Sequence, residues 1–151
     1  MPNNPAYDLH ASLGYQLTVV ARLNERPFED ALHELGLTRT TWCVLLAVSV
    51  EGLSRPSDIA DFVGIDRTAT SRALRQMEKQ HLIRRAAGRD DGRTTLVAIT
   101  GAGQEALARA TPLARQNAQH FDSRLSADDR AQLVAILNKL KGDAPLSLHR
   151  I

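Results

Sequence analysis

The sequence predicts a mainly α-helical fold with one small β-hairpin, that is, an α+β chain. Apolar residues recur every three or four positions over most of the 151 residues, which is the spacing of one helix face. Aromatic residues make up only 4% of the chain, so Leu, Ala and Val must fill the core, as in helix-on-helix packing. A single short segment, 94–99, is β-rich and follows a run of turn-forming residues.

The first predicted helix runs from about Asp8 to Leu35, after a polar tail. Pro27 lies inside it and removes a backbone donor, so it should kink the helix or split it. The second predicted helix begins after the cap residue Thr38 and covers 39 to about 50. This helix is apolar on nearly every side, which predicts a central position in the fold.

Two short helices joined by a tight turn are predicted next. Ser54 is expected to cap the third helix, with Pro56 in its first turn. Gly64 permits a sharp turn, and Asp66 then caps a fourth helix that reaches about His81. This arrangement predicts a helix-turn-helix motif.

The second half of the chain predicts a hairpin followed by two helices. Segments 82–85 and 94–99 read as its strands, with turn-forming residues between them. Thr100 should cap a fifth helix that runs to about Leu125 and is interrupted at Pro112. Ser126 and Asp129 resemble a capping box for a sixth helix. The apolar stripe of that helix consists of Leu133, Ile136, Leu137 and Leu140.

The fourth helix has two chemically different faces when its residues are placed at about 100° per step. The side expected to pack contains Ala69, Ala73, Leu74 and Met77. The opposite side contains Thr68, Ser71, Arg72, Arg75 and Lys79, with Arg67 nearer the packed side. Guanidinium and hydroxyl groups are those that contact base edges and phosphates. An ordinary amphipathic surface helix is the alternative interpretation.

Charge is concentrated around this helix. The net charge of the whole chain is only +2, but segment 67–93 holds eight basic residues against three acidic ones. A basic centre in a nearly neutral chain is typical of nucleic-acid readers, although a solvated charged face would look the same. In the hairpin tip, Arg89 and Arg93 suit a narrow minor groove, and Asp91 could orient the Arg93 guanidinium. A solvated turn is the alternative there.

The chain resembles the MarR family of bacterial transcription regulators over about residues 9–140. The residues that carry the resemblance are Gly36, Leu37 and Thr38 with Trp42 and Leu45; the run from Asp66 to Arg72; and Asp91, Gly92 and Arg93 followed by Leu96, Ile99, Thr100 and Gly103. The resemblance implies a winged helix-turn-helix in one domain, 1–151. Its DNA-binding lobe is about 38–100, with the wing at 83–99.

The resemblance also implies partners. It implies a homodimer formed by helices at about 8–35 and 101–141, and a repressor bound to an inverted-repeat operator of double-stranded DNA. The fourth helix would enter the major groove and the wing the minor groove. A small aromatic or phenolic anion, such as a carboxylate or its thioester, would bind between the two regions and release the DNA. Independently of the family, the terminal helices carry apolar stripes that so small a chain cannot cover alone, which favours a two-fold dimer.

For the effector pocket, the polar or aromatic residues of the first two helices are candidates: His10, Tyr15, Arg22 and Trp42. Arg22 could pair with a carboxylate among apolar walls. A surface or interface salt bridge for Arg22, and a core position for Trp42, are equally good interpretations.

Several functions are disfavoured by the sequence. The only cysteine, Cys43, lies in the most apolar segment, which predicts a buried structural thiol rather than a redox sensor. With no signal peptide, it also suggests a reducing cytoplasm. The five histidines lack zinc-ligand spacing, and no nucleophile–base signature occurs, so no cofactor, no metal and no enzyme activity are expected. No apolar run approaches the roughly 20 residues of a membrane span. Three other functions remain open: a winged helix that binds protein, a DNA-binding regulator without an effector, and an activator.

Overall fold

The computed structural model describes residues 7–88 and 95–143. Within them the chain forms six helices and one antiparallel hairpin. The elements in order are α1 (Leu13–Glu34), α2 (Arg39–Ser49), α3 (Pro56–Val63), α4 (Arg67–Lys79), β1 (Ile83–Ala87), β2 (Thr95–Ile99), α5 (Gly101–Asp122) and α6 (Ala127–Lys141). The predicted α+β class, with its helix-turn-helix and hairpin, is confirmed.

Helix α1 starts at Leu13, later than the predicted Asp8. The Asp8 carboxylate accepts the N–H groups of His10 and Ala11 in a separate turn, and Ser12 is the N-cap. Ser12 was not among the predicted caps; both residues are good local acceptors for backbone N–H groups, and only the structure shows which one begins the helix.

Helix α1 is not split at Pro27, which lies inside one continuous helix. Close to this residue, the Asn117 side chain on α5 donates to the backbone carbonyl of Asn24 at 2.9 Å. This tertiary contact joins α5 to α1 near Pro27, although the carbonyl that the proline leaves without its helical donor is that of Leu23, one residue earlier.

Helix α2 lies at the centre, as predicted. Thr38 and Thr41 form a reciprocal capping box at its start, and Val44, Leu45 and Ala47 are fully buried. They belong to a core built from α1–α5 and both strands. Burial of these side chains is the main favourable contribution to the stability of the lobe.

The turn between α3 and α4 has the predicted geometry, but the predicted cap of α3 is wrong. Gly64 adopts a left-handed φ of 77°, and its N–H donates to Ala60 O. Arg55, not Ser54, is the N-cap of α3 and makes no side-chain cap bond. Ser54 instead uses its carbonyl to accept the N–H of Val97 at 2.8 Å, which ties the segment before α3 to β2.

The hairpin joins the core at its base. Ile83 pairs with Ile99 and Ala87 with Thr95, and Ile83 and Val97 are buried. Helix α4 ends at Lys79 rather than His81, because His81 takes a left-handed φ of 59° and turns the chain into β1.

The two C-terminal helices differ in how much they contact the rest of the chain. Helix α5 continues through Pro112 without a break, ends at Asp122 rather than Leu125, and packs on α1 and α2. Helix α6 begins with the predicted Ser126–Asp129 capping box. Its large apolar side chains are all 38–53% exposed: Leu133, Val134, Ile136, Leu137 and Leu140.

Candidate nucleic-acid interface and ligand cavity

The surface of α4 that faces solvent is basic and hydroxyl-rich. We call it the outer face of α4; it consists of Arg67, Thr68, Ser71, Arg72, Arg75 and Lys79. Ser71 is half-buried and the other five are exposed. Five of the six, all but Lys79, line one shallow concavity of about 380 Å³. Arg67 also lines a second concavity with the buried Thr70 and Leu74, on the side of the helix where the sequence placed it, and its side chain is exposed.

The opposite surface of α4 fixes the helix in the lobe. Leu74 and Met77 are buried as predicted, whereas Ala69 and Ala73 are only half-buried. Thr70, which the sequence analysis did not place inside, is 1% exposed. Its hydroxyl donates to Asp66 O at 2.8 Å, so the polar group is satisfied and the residue can be buried. A threonine gives no apolar signal, so the helical pattern did not reveal this position.

An ion pair connects α4 to the first strand of the hairpin. The Arg85 Nε and Nη2 atoms donate to Glu78 Oε2 at 2.8 and 2.5 Å, and the Arg85 backbone N–H donates to Glu78 Oε1 at 3.2 Å. The Arg85 guanidinium holds the pKa of the Glu78 carboxyl below its usual value. Both side chains are about one-third exposed, so solvent screens the pair. The three bonds nevertheless fix the direction in which the hairpin leaves α4.

The hairpin tip lies outside the described residues. Arg89, Asp91 and Arg93, which the sequence analysis assigned to the minor groove, all fall in 89–94. Their roles stay predictions.

A cavity of about 240 Å³ lies between α1, α2 and α5, at the junction of the terminal helices with the lobe. We call it the interhelical cavity. Its lining residues are Asn24, Glu25, Phe28, Arg39, Trp42, Ala114, Asn117, Ala118, Phe121 and Asp122. The rings of Phe28 and Trp42 meet edge to face at 4.9 Å. Aromatic walls with a few placed polar groups are typical of small-molecule sites.

Polar groups in this cavity are unequally satisfied. Among the described residues, the indole Nε1 of Trp42 is buried without a hydrogen-bond partner, which costs about 1–3 kcal/mol for a typical donor. Arg39, the only cation of the lining, pairs with Glu25. The nitrogen has almost no accessible surface, so it is not part of the surface that the cavity presents to an occupant.

The structure brings one of the four predicted effector residues, Trp42, into the cavity. Arg22 is exposed on α1, and His10 stacks on Tyr15 at 4.8 Å near the start of that helix. None of these three belongs to the lining. Sequence analysis missed Arg39, although it lies three residues before Trp42 and so on the same face of α2.

Comparison with known proteins identifies the family. The MarR family profile matches residues 35–94. The transcriptional regulator HosA of Escherichia coli O157:H7 is 30% identical over 110 residues, which cover 72% of this chain and 81% of HosA. The chain belongs to the MarR family. It spans about half (53%) of another relative, the uncharacterized HTH-type transcriptional regulator YdgJ of Bacillus subtilis.

Solved structures of the MarR family share the fold. A cysteine-to-serine variant of Escherichia coli MarR, complexed with operator DNA, matches with a TM-score of 0.79 and 23% identity, over 90% of this chain and all of that one. Bordetella bronchiseptica BpsR, whose DNA binding is regulated by 6-hydroxynicotinic acid, matches with a TM-score of 0.81 and 22% identity, over 91% and 98% of the two chains. The chain thus belongs to a family of transcription regulators and has the winged helix-turn-helix fold that the sequence predicted.

Cys43 of this MarR-family chain is half-buried rather than fully buried. Burial raises the pKa of its thiol, and the neighbouring Arg39, a cationic contact that sequence analysis did not foresee, offsets part of that rise. A raised pKa disfavours the reactive thiolate.

Two kinds of site are not found in the described ranges 7–88 and 95–143. No group of three or more His, Cys, Asp or Glu side chains there could hold a metal ion. No helix there combines the length and apolar character that crossing a membrane needs.

Proposed function

We propose that this chain is a repressor that binds an inverted-repeat operator as a homodimer, with α4 in the major groove. The observation that carries the proposal is the outer face of α4, where exposed guanidinium and hydroxyl groups share one concavity. A recognition helix needs such a face, held rigidly from behind. Thr70, Leu74 and Met77 supply that support.

Each group on the outer face has a role that its chemistry favours. Arg72 and Arg75 can donate two hydrogen bonds to the O6 and N7 atoms of guanine. Thr68 and Ser71 can donate or accept at base edges, and Lys79 and Arg67 suit phosphates. The wing, carrying Arg89, Asp91 and Arg93, would lie in the adjacent minor groove.

A second copy of the chain is the proposed cover for the apolar surfaces of α1 and α6. Leu13, Leu17, Val20 and Leu23 of α1 are 38–64% exposed, and the apolar residues of α6 are similarly uncovered. An exposed apolar surface of this extent marks an interaction site. A two-fold dimer would bury these surfaces and present two α4 helices to two half-sites.

Operator binding can be tested with single variants on a footprinted palindromic fragment. Arg72→Ala should lose about 1–3 kcal/mol of discrimination against a changed base pair. Lys79→Ala should weaken binding to all sequences and reduce the salt dependence by about one phosphate contact. Arg109→Ala, an exposed arginine on α5, is the matched control and should bind normally. Full affinity and unchanged base preference in Arg72→Ala and Arg75→Ala would contradict the docking.

The interhelical cavity is the proposed effector site, and an aromatic carboxylate or phenol is the proposed ligand class. The aromatic lining and the Arg39 guanidinium support this class. BpsR responds to an aromatic acid, and another neighbour of similar fold binds 2,4-dichlorophenol. A thermal shift screen of aromatic acids and their thioesters tests it, because a ligand of the folded state raises the melting temperature by mass action. A regulator without an effector would show no shift.

A further inference from the structure

The Glu25–Arg39 ion pair lies in the wall of the interhelical cavity and joins α1 to α2. The cavity lining contains one cation, Arg39, and two carboxylates, Glu25 and Asp122. Asp122 has a partner elsewhere, since it accepts from Arg130 Nε at 3.3 Å. The cation that would attract an anionic ligand is therefore already paired with a carboxylate of the protein itself.

We propose that Glu25 is an internal competitor for the ligand's carboxylate, and that ligand binding transfers Arg39 from Glu25 to the ligand. This inference rests on the proposed effector function and states how the same site is switched. In the free protein Arg39 links the DNA-binding lobe to α1. In the liganded protein that link is lost, so that DNA release begins at this contact.

Two features favour transfer of Arg39 to a ligand. Arg39 and Trp42 are one turn apart on α2, so a ligand whose carboxylate accepts from the Arg39 guanidinium can lay its ring against the aromatic wall of the cavity. Glu25 can accept from Arg39 but makes no such apolar contact. A ligand carboxylate held in the cavity is therefore accompanied by a ring contact with Phe28 and Trp42 that the internal pair lacks.

The Glu25 carboxylate is also easily displaced from the Arg39 guanidinium. The Glu25 and Arg39 side chains are 38% and 44% exposed, and ion pairs of such exposure contribute about 0–1 kcal/mol. A released Glu25 carboxylate returns to water without a large desolvation cost. The Phe28–Trp42 edge contact remains across the cavity, but it is apolar and does not fix the relative position of α1 and α2 as a directed bond does.

A switch of this kind makes the ligand specific for one state. A ligand shifts a conformational equilibrium only by its differential affinity for the two states. Here the ligand binds best when the α1–α2 link is broken, whereas the closed link is present in the free protein. Glu25 thus converts ligand binding into loss of an interhelical contact.

The test uses Trp42, the only tryptophan of the chain, as the fluorescent reporter, with benzoate as the probe and benzamide as its neutral analogue. Glu25→Gln should bind benzoate up to about fivefold more tightly than the wild type, since the competing ion pair is worth up to about 1 kcal/mol. Benzamide affinity should stay unchanged. Arg39→Ala should lose the preference for benzoate over benzamide. Glu29→Gln, an exposed glutamate one turn further along α1 and outside the lining, is the matched control and should behave as the wild type.

The outcomes separate this inference from the function on which it rests. If the wild type and Glu25→Gln bind benzoate saturably and with equal affinity, Glu25 is not a competitor, but the cavity is still an effector site. If benzoate does not saturably quench Trp42 fluorescence in the wild type, Glu25→Gln or Glu25→Ala, both the competitor role of Glu25 and the effector site are contradicted. Operator affinity provides the second measurement: without ligand, Glu25→Gln should bind operator more weakly than Glu29→Gln, and equal affinity of these two variants also refutes the switch. Circular dichroism melting of each variant checks that it is folded.

Discussion

Gly103, the third residue of α5, provides the sharpest test of how the lobe joins the terminal helices. A Cβ atom at this position would collide with the backbone carbonyl O of Leu82 and lie 2.7 Å from Ile99 Cγ1. The Ile99 side chain can rotate away. Leu82 O cannot move freely, because it belongs to the main chain and accepts the N–H of Thr100 at 3.1 Å. Gly103→Ala must therefore displace α5 from the base of the hairpin.

The magnitude follows from two opposing contributions. Alanine by itself favours a helix over glycine by about 0.5–1 kcal/mol. Overpacking against well-fixed atoms costs about 1–3 kcal/mol, and a main-chain obstacle corresponds to the upper part of that range. We expect Gly103→Ala to lower the free energy of unfolding by about 2 kcal/mol.

Gly101→Ala is the matched control, two residues earlier in the same helix turn. A Cβ atom at Gly101 has open space within the described part of the chain, so this variant should be unchanged or more stable by up to about 1 kcal/mol. Urea denaturation followed by circular dichroism, at equal chain concentrations, measures both. Equal unfolding midpoints for the two variants would refute the close approach of α5 to Leu82.

Three further predictions concern polar contacts. The pKa of Glu78 is lowered in the folded state, so its carboxylate stabilises the fold at pH values above the unfolded-state pKa, and this contribution is lost as pH falls through the lowered folded pKa. Acid titration of Glu78→Gln should therefore show a weaker pH dependence of stability than the wild type. Identical curves for the two proteins would contradict the ion pair with Arg85. The raised pKa of the Cys43 thiol predicts that this thiol is alkylated slowly at neutral pH and that operator binding survives mild peroxide. If peroxide abolished operator binding in the wild type but not in Cys43→Ser, Cys43 would be a redox sensor instead. Asn117→Ala removes the donor to Asn24 O and should cost about 0.5–1.5 kcal/mol in the free energy of unfolding, measured by thermal melting. An unchanged melting temperature would mean that this bond does not stabilise the packing of α5 on α1.

Helix starts were largely predictable because capping is local. Thr38, Asp66, Thr100 and Ser126 are each N-caps in the structure, as expected. A cap bond joins a side chain to a backbone N–H three positions away, so the sequence holds both partners. There were two exceptions: Ser54, whose carbonyl accepts from Val97 in a distant strand, and the start of α1, which lies at Leu13 rather than Asp8.

The two faces of α4 were also largely predictable. Arg72, Arg75 and Lys79 follow from the helical period alone. The burial of Thr70 does not, because burial of a hydroxyl depends on its partner Asp66 O. The exposure of Arg67, at the helix start, depends on what packs against the first turn.

The interhelical cavity was the part that the sequence could not supply. Asn117 and Asn24 are 93 residues apart, and Arg39 and Glu25 are 14 apart on different helices. Periodicity and capping relate residues within about one or two turns, so by itself the sequence determined the elements, their caps and the basic face of α4. Which helices meet, which charges pair across them and which N–H is left without an acceptor depend on packing in three dimensions, and only the tertiary structure decided those.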